Sequence, residues 1–144
     1  MIVRTKSQNW DAGSSQVEFV FSILLMLVVL LTLMELCNAV YTYVVLSDAA
    51  NEGVRYAIVH STDGGSLTSN VQNKVITYAR NAFSIGTLPS SDVTVTCPDG
   101  ACTVPNRVQV SVSYVYAPFA ISGLRNFSIN PPTMHAYAEG RLVY

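Results

Sequence analysis

Residues 19–34 form an apolar run without a single charge, and after Glu35 a second uncharged run covers residues 36–46. Leu, Val and Met dominate both, and neither Pro nor Gly interrupts them. One continuous helix over this stretch closes every backbone hydrogen bond within itself, as a hydrocarbon surrounding requires. A spanning helix needs about 20 predominantly apolar residues. The run exceeds that, so a membrane-crossing helix is the first expectation. A cleaved secretory signal fits less well, because its apolar part is about 7 to 15 residues long and ends on a small-residue cleavage site, which this run lacks.

Composition agrees. Half of the 144 residues are hydrophobic and 12% are charged, against roughly 25% in an ordinary soluble domain. The formal net charge is −1 and the basic residues do not cluster, which argues against a nucleic-acid surface. Ahead of the run, Arg4, Lys6 and the terminal amine face only Asp11. Basic residues beside a span tend to remain cytoplasmic, so the C-terminal bulk should be extracytoplasmic.

Cys97 and Cys102 bracket Pro98, Asp99, Gly100 and Ala101 between stretches of strand character. Pro98 suits the second position of a β-turn and Gly100 the fourth. Two readings are open, a disulfide-closed turn and two free thiols that happen to be close in sequence. A disulfide would stabilise by roughly 2 kcal/mol in the chain-entropy model and would place this part of the chain in an oxidising compartment. Cys37, inside the apolar helix, should stay reduced.

Beyond the membrane the helical period continues. Leu46, Ala49, Ala50, Gly53, Val54, Ala57 and Ile58 make one apolar stripe, while Asp48, Glu52 and Arg55 occupy the other face, with Glu52 and Arg55 spaced to pair. Ser61, Thr62, Asp63, Gly64 and Gly65 should stop this helix. A second follows with Leu67, Val71, Val75, Tyr78, Ala79 and Ala82 on one face and ends in the segment from Ser84 to Pro89. Then the period changes to two. Val93, Val95 and Cys97 alternate with polar residues, as do Val108, Val110, Val112, Tyr114 and Tyr116. A last strand should cover residues 134–142, after Pro131 and Pro132. The expected fold is α+β: a long N-terminal transmembrane helix continuing into a small domain with a second helix and a three-stranded antiparallel sheet. The stripe is expected to be core, with a protein-binding face as the alternative.

Gly13 is followed by Ser14, Ser15, Gln16, Val17, Glu18 and Phe19, and then at once by the apolar run. A carboxylate at the edge of a hydrocarbon segment costs free energy and calls for a partner. Gly, four residues, Glu and an aromatic or apolar residue resembles the prepilin peptidase site of type IV pilin precursors. The chain resembles one branch in particular, the TadE-like minor pilins of tight-adherence systems. Val17, Glu18 and Phe19 carry that resemblance, with Met34, Glu35 and Leu36 and the run from Ala49 to Ala57. The segments Val110 to Pro118 and Ala136 to Glu139 look like the family's paired strands. Cys37 and Asn38 depart from it, standing where the family usually has a small and a basic residue.

The resemblance implies cleavage between Gly13 and Ser14, with residues 1–13 as leader, 14–46 as transmembrane helix and 47–144 as a pilin-like extracytoplasmic domain. It implies subunit assembly through Glu18, Phe19 and Glu35, Glu18 pairing with the new α-amine of a neighbouring subunit. For Glu35 a side chain reaching toward the outer headgroups is the competing reading. The implied partners are other pilin subunits, a prepilin peptidase, a pilus assembly platform and membrane lipid. The implied location is the bacterial cytoplasmic membrane and, after assembly, a pilus.

Catalytic chemistry is not suggested. His60 and His135 lack a second ligand at a zinc spacing, Cys97 and Cys102 lack the pattern of a zinc ribbon, and no Gly-rich loop opens a helix after a strand. No catalytic residue, metal or cofactor is expected. Two functions from different classes remain: a minor pilin or pseudopilin processed at Gly13, and an uncleaved single-pass protein whose outer domain binds a ligand or surface.

Overall fold

The computed structural model describes residues 11–61, 66–82, 88–118 and 131–143. Helix α1, Asp11–Val59, is continuous over 49 residues, and α2 is Leu67–Ala82. A single 3₁₀ turn, Ser90–Asp92, leads into β1, Val93–Thr96, followed by β2, Arg107–Val115, and β3, Thr133–Arg141. The strands form one antiparallel sheet in the order β1-β2-β3. This is the α+β arrangement expected from the change of period. The basic segment holding Arg4 and Lys6, the helix stop at residues 62–65 and the second stop at residues 84–87 lie outside the described residues.

The chain divides into two units, Met1–Leu36 and Cys37–Tyr144. In the first, the described side chains belong to α1 and nearly all face outward, Phe21 being 74% exposed and Leu25 65%. Such a surface has no counterpart in a water-soluble helix, which keeps one polar face.

The second unit has a core. From α1 it takes Val45, Leu46, Ala49, Ala50, Val54 and Ala57, and from α2 Leu67, Val71, Val75 and Ala79. The sheet adds Val93, Val108, Val110, Val112, Ala136 and Ala138, and Leu142 follows β3. The stripe of α1 is therefore intramolecular core. Tyr78 and Ala82 are exposed, contrary to the sequence pattern. The buried residues of α2 follow a single i+4 row, which is too narrow to include positions three residues on. Nor does Glu52 pair with Arg55: its ion pair runs to Lys74 of α2 at 3.8 Å. Both partners of that pair are partly exposed, so it contributes under about 1 kcal/mol.

Two glycines set how closely α1 approaches its neighbours. A Cβ on Gly53 would lie 2.5 Å from Val75 Cγ2 and 3.3 Å from Val110 Cγ1, so this position faces α2 and β2 together. A Cβ on Gly140 of β3 would lie 2.5 Å from Val54 Cγ1 and 2.9 Å from Ile58 Cδ1. Gln72 ties the other side, its Nε2 donating to Val93 O at 2.8 Å.

The β1–β2 connection is a braced loop. Cys97 and Cys102 are joined in a disulfide with their Cα atoms 5.3 Å apart, and Cys37 is a free, exposed thiol. Gly100 N donates to Cys97 O at 3.1 Å, closing the turn with Pro98 second and Gly100 fourth. Gly100 adopts φ +109°, in the region that favours glycine. A second turn follows, Asn106 N donating to Thr103 O at 2.8 Å around the cis Val104–Pro105 peptide. Arg107 then grips the loop. Its Nη2 and Nε donate to Asp99 Oδ1 and Oδ2 at 2.8 and 3.0 Å, its backbone N donates to Asp99 Oδ2 at 3.0 Å, and its Nη1 reaches Glu139 Oε1 at 3.1 Å.

Gly53→Leu should destabilise the domain by about 3 kcal/mol, since Val75 and Val110 are fully buried and over-packing costs roughly that much. Asn51→Leu, at an exposed position on the same helix, should cost little. Thermal unfolding in detergent measures both, and equal melting temperatures would contradict the close approach at Gly53.

Hydrogen bonds from Arg107, side chain first and then backbone, lower the Asp99 pKa from 3.8 to about 2. The folded value lies below the unfolded one, so the stabilisation is fully present above about pH 4 and is lost as pH falls through about 2. The stability difference between the wild type and Asp99→Asn should hold constant from pH 7 down to about 4 and then close. A carboxyl titrating near 3.8 by NMR would contradict the clamp.

Candidate functional site: the exposed helix

The feature that sets this chain apart is the bare apolar surface of α1. No residue of its most apolar window is buried, and the helix is long and apolar enough to cross a membrane. Val17, Phe19, Val20 and Phe21 open this surface on either side of the exposed Glu18. The hydroxyls within it are satisfied by the helix itself, as a non-aqueous surrounding demands. Ser22 Oγ donates to Glu18 O at 2.9 Å and Thr32 Oγ1 to Val28 O at 2.8 Å, and further along the helix the buried Thr42 Oγ1 does the same to Asn38 O at 2.8 Å.

The sequence-derived site residues fall into two groups. Gly13, Ser14, Glu18, Phe19 and Glu35 all lie on α1, and of Gly13 and Ser14 only the helical backbone is described. The Gly13–Ser14 peptide is in the first turn, where helix ends fray at little cost. Glu18 is exposed one turn further on, beside an exposed Phe19, and Glu35 is half-buried. Cys97 and Cys102 form the second group, at the far end of β1, and have a structural part in bracing the loop.

Sequence reasoning missed three elements of this architecture. The Asp99–Arg107 clamp spans eight residues across a loop, and its only trace in the sequence is an acidic residue inside the Pro-Gly turn and a basic one at the start of the next strand. Gly140 stands in a strand pattern that says nothing of the helix above it. Tyr41, whose hydroxyl donates to Ala82 O at 3.4 Å, reads in the sequence as one more apolar residue. His60 stacks on Tyr56 with ring centroids 4.0 Å apart, a packing role at the end of α1. Among the described residues no group of three or more His, Cys, Asp or Glu is placed to hold a metal ion.

Comparison with known proteins gives no match among curated proteins or solved structures. A family model does match, the one described as TadE-like protein, over residues 13–55. The matched segment starts at Gly13, contains Glu18 and Glu35, and ends within the buried stripe. The chain thus carries a TadE-like segment, residues 13–55, that coincides with the exposed helix and its entry into the domain.

Proposed function

We propose that this chain is a structural subunit, a minor pilin or pseudopilin of a tight-adherence or type IV-like pilus, held in the membrane and assembled through α1. The observation that carries this reading is the coincidence of two findings on one helix. The TadE-like match begins at Gly13, and between Val17 and Leu36 the same helix exposes large apolar side chains, none of its most apolar window being buried. Lipid covers such a helix in a precursor, and the helices of neighbouring subunits cover it in a filament. The braced, disulfide-closed loop supports an extracytoplasmic domain, because such bonds persist in oxidising compartments.

In this reading a prepilin peptidase cuts between Gly13 and Ser14, and Glu18 becomes the fifth residue of the mature chain. Its carboxylate accepts from the new α-amine of a neighbouring subunit as the helix leaves the bilayer for the filament core. Phe19 and the residues after it supply the apolar contact, and the domain stays outside. The reading assigns no catalytic step.

Glu18 separates assembly from anchoring. In a permanent anchor Glu18→Ala costs nothing and removes a charge from the membrane edge. In a filament it leaves the neighbour's amine buried and unpaired, which costs about 3 to 5 kcal/mol, a factor of hundreds or more at tenfold per 1.4 kcal/mol. Glu18→Ala should therefore insert and be cut but enter filaments poorly, with Glu18→Asp intermediate. The ratio of subunit in sheared filaments to subunit in membranes measures this. Equal ratios for all three proteins would remove the pairing role.

A further inference from the structure

One stretch of α1 is both domain and bare surface. Thr42, Val45 and Leu46 are buried in the core, whereas Val40, Tyr41, Tyr43 and Val44, interleaved with them, are 56%, 48%, 50% and 47% exposed. No charged residue occurs between Glu35 and the exposed Asp48. Two tyrosines and two valines side by side on the surface of a folded domain are a patch that water does not favour.

Three observations identify what covers it. First, exposed large apolar side chains of α1 run from Phe19 to Leu36 and resume at Val40, with Glu35 the one charge between Phe19 and this patch. Second, about 20 helical residues cross the hydrocarbon core, and counting from Phe19 that distance ends at Asn38, the first amide side chain of the run, just ahead of Tyr41 and Tyr43. Tyrosine concentrates at the membrane–water interface, where its ring is apolar and its hydroxyl finds a polar partner. Third, the Tyr41 hydroxyl donates to Ala82 O at 3.4 Å, which brings the last turn of α2 to the same level. That turn carries Arg80, a charge complementary to headgroup phosphate.

From these we infer that residues 38–44 of α1 and the C-terminal turn of α2 form a collar seated in the headgroup layer of the bilayer. Tyr41 and Tyr43 act as its interfacial anchors. The folded domain rests on the lipid and is not carried clear of it on a helical stalk. This inference depends on the membrane reading of α1 given above and adds the depth at which the domain sits.

Tryptophan fluorescence in proteoliposomes tests it. In a Trp10→Phe background, single tryptophans are placed by Tyr43→Trp and Val44→Trp in the collar, by Leu27→Trp in mid-span and by Tyr137→Trp, which is exposed on the sheet. The lipids carry bromine at defined acyl depths, and acrylamide probes from water. The collar tryptophans should be quenched best by bromines near the headgroup end of the chains and be several-fold less accessible to acrylamide than Tyr137→Trp. Leu27→Trp should be quenched best by the deepest bromines. If both collar tryptophans match Tyr137→Trp in acrylamide access while Leu27→Trp remains deep, the domain stands clear of the lipid and the collar is wrong. Collar tryptophans shielded from bromine and acrylamide alike would put a neighbouring copy there, which also overturns it. Acrylamide quenching of Leu27→Trp would instead overturn the membrane reading itself.

Discussion

The seam where α1 enters its domain is the constraint on which the rest of this structure depends. Small residues line it, Ala49, Ala50, Gly53 and Ala57, and across it stand the β-branched residues Val71, Val75 and Val110. Because valine is stiff at χ1, the shape of the seam is fixed mainly by what α1 leaves out. The absent side chain at Gly53 admits α2 and β2, and the absent side chain at Gly140 lets β3 reach Val54 and Ile58. A helix made only of large apolar residues would hold the sheet and α2 apart and leave both without a core.

One helix therefore carries two surfaces suited to two solvents. From Val17 to Leu36 most of its side chains are large, apolar and exposed, on a stretch long and apolar enough to cross a membrane. From Val45 to Ala57 they are mostly small and buried, fitted to one intramolecular partner. The domain also has strength away from the seam. The disulfide and the Asp99–Arg107 clamp hold the β1–β2 loop from two sides, and Glu139 links it to β3. Such bracing keeps a small sheet ordered when its core comes largely from alanine and valine.

Much of this was legible in the sequence where the cause is periodic. The stripe of α1 from Leu46 to Ala57 and the alternation of Val108, Val110 and Val112 appear in the structure as core, because periods of 3.6 and 2 follow directly from backbone geometry. The turn between Cys97 and Cys102 was legible for a local reason, the φ preferences of Pro98 and Gly100. Contacts between elements were not. Period alone does not say how wide the buried face of α2 is, so it does not show that Tyr78 is exposed, and sequence spacing that matches Glu52 to Arg55 cannot show Lys74 of the next helix. The roles of Gly140 and Tyr41 depend on partners distant in sequence. In the candidate site, the positions of Glu18, Phe19 and Glu35 on one helix followed from the apolar run, whereas the assembly roles proposed for them depend on partners outside a single chain.

Whether α1 is the working part of an assembly subunit or a permanent tether depends on where the mature chain begins. Intact-mass analysis of the protein isolated from its native membrane tests this directly. The native chain should start at Ser14, with its α-amine one helical turn from Glu18. A native protein that retains residues 1–13 in full would contradict it.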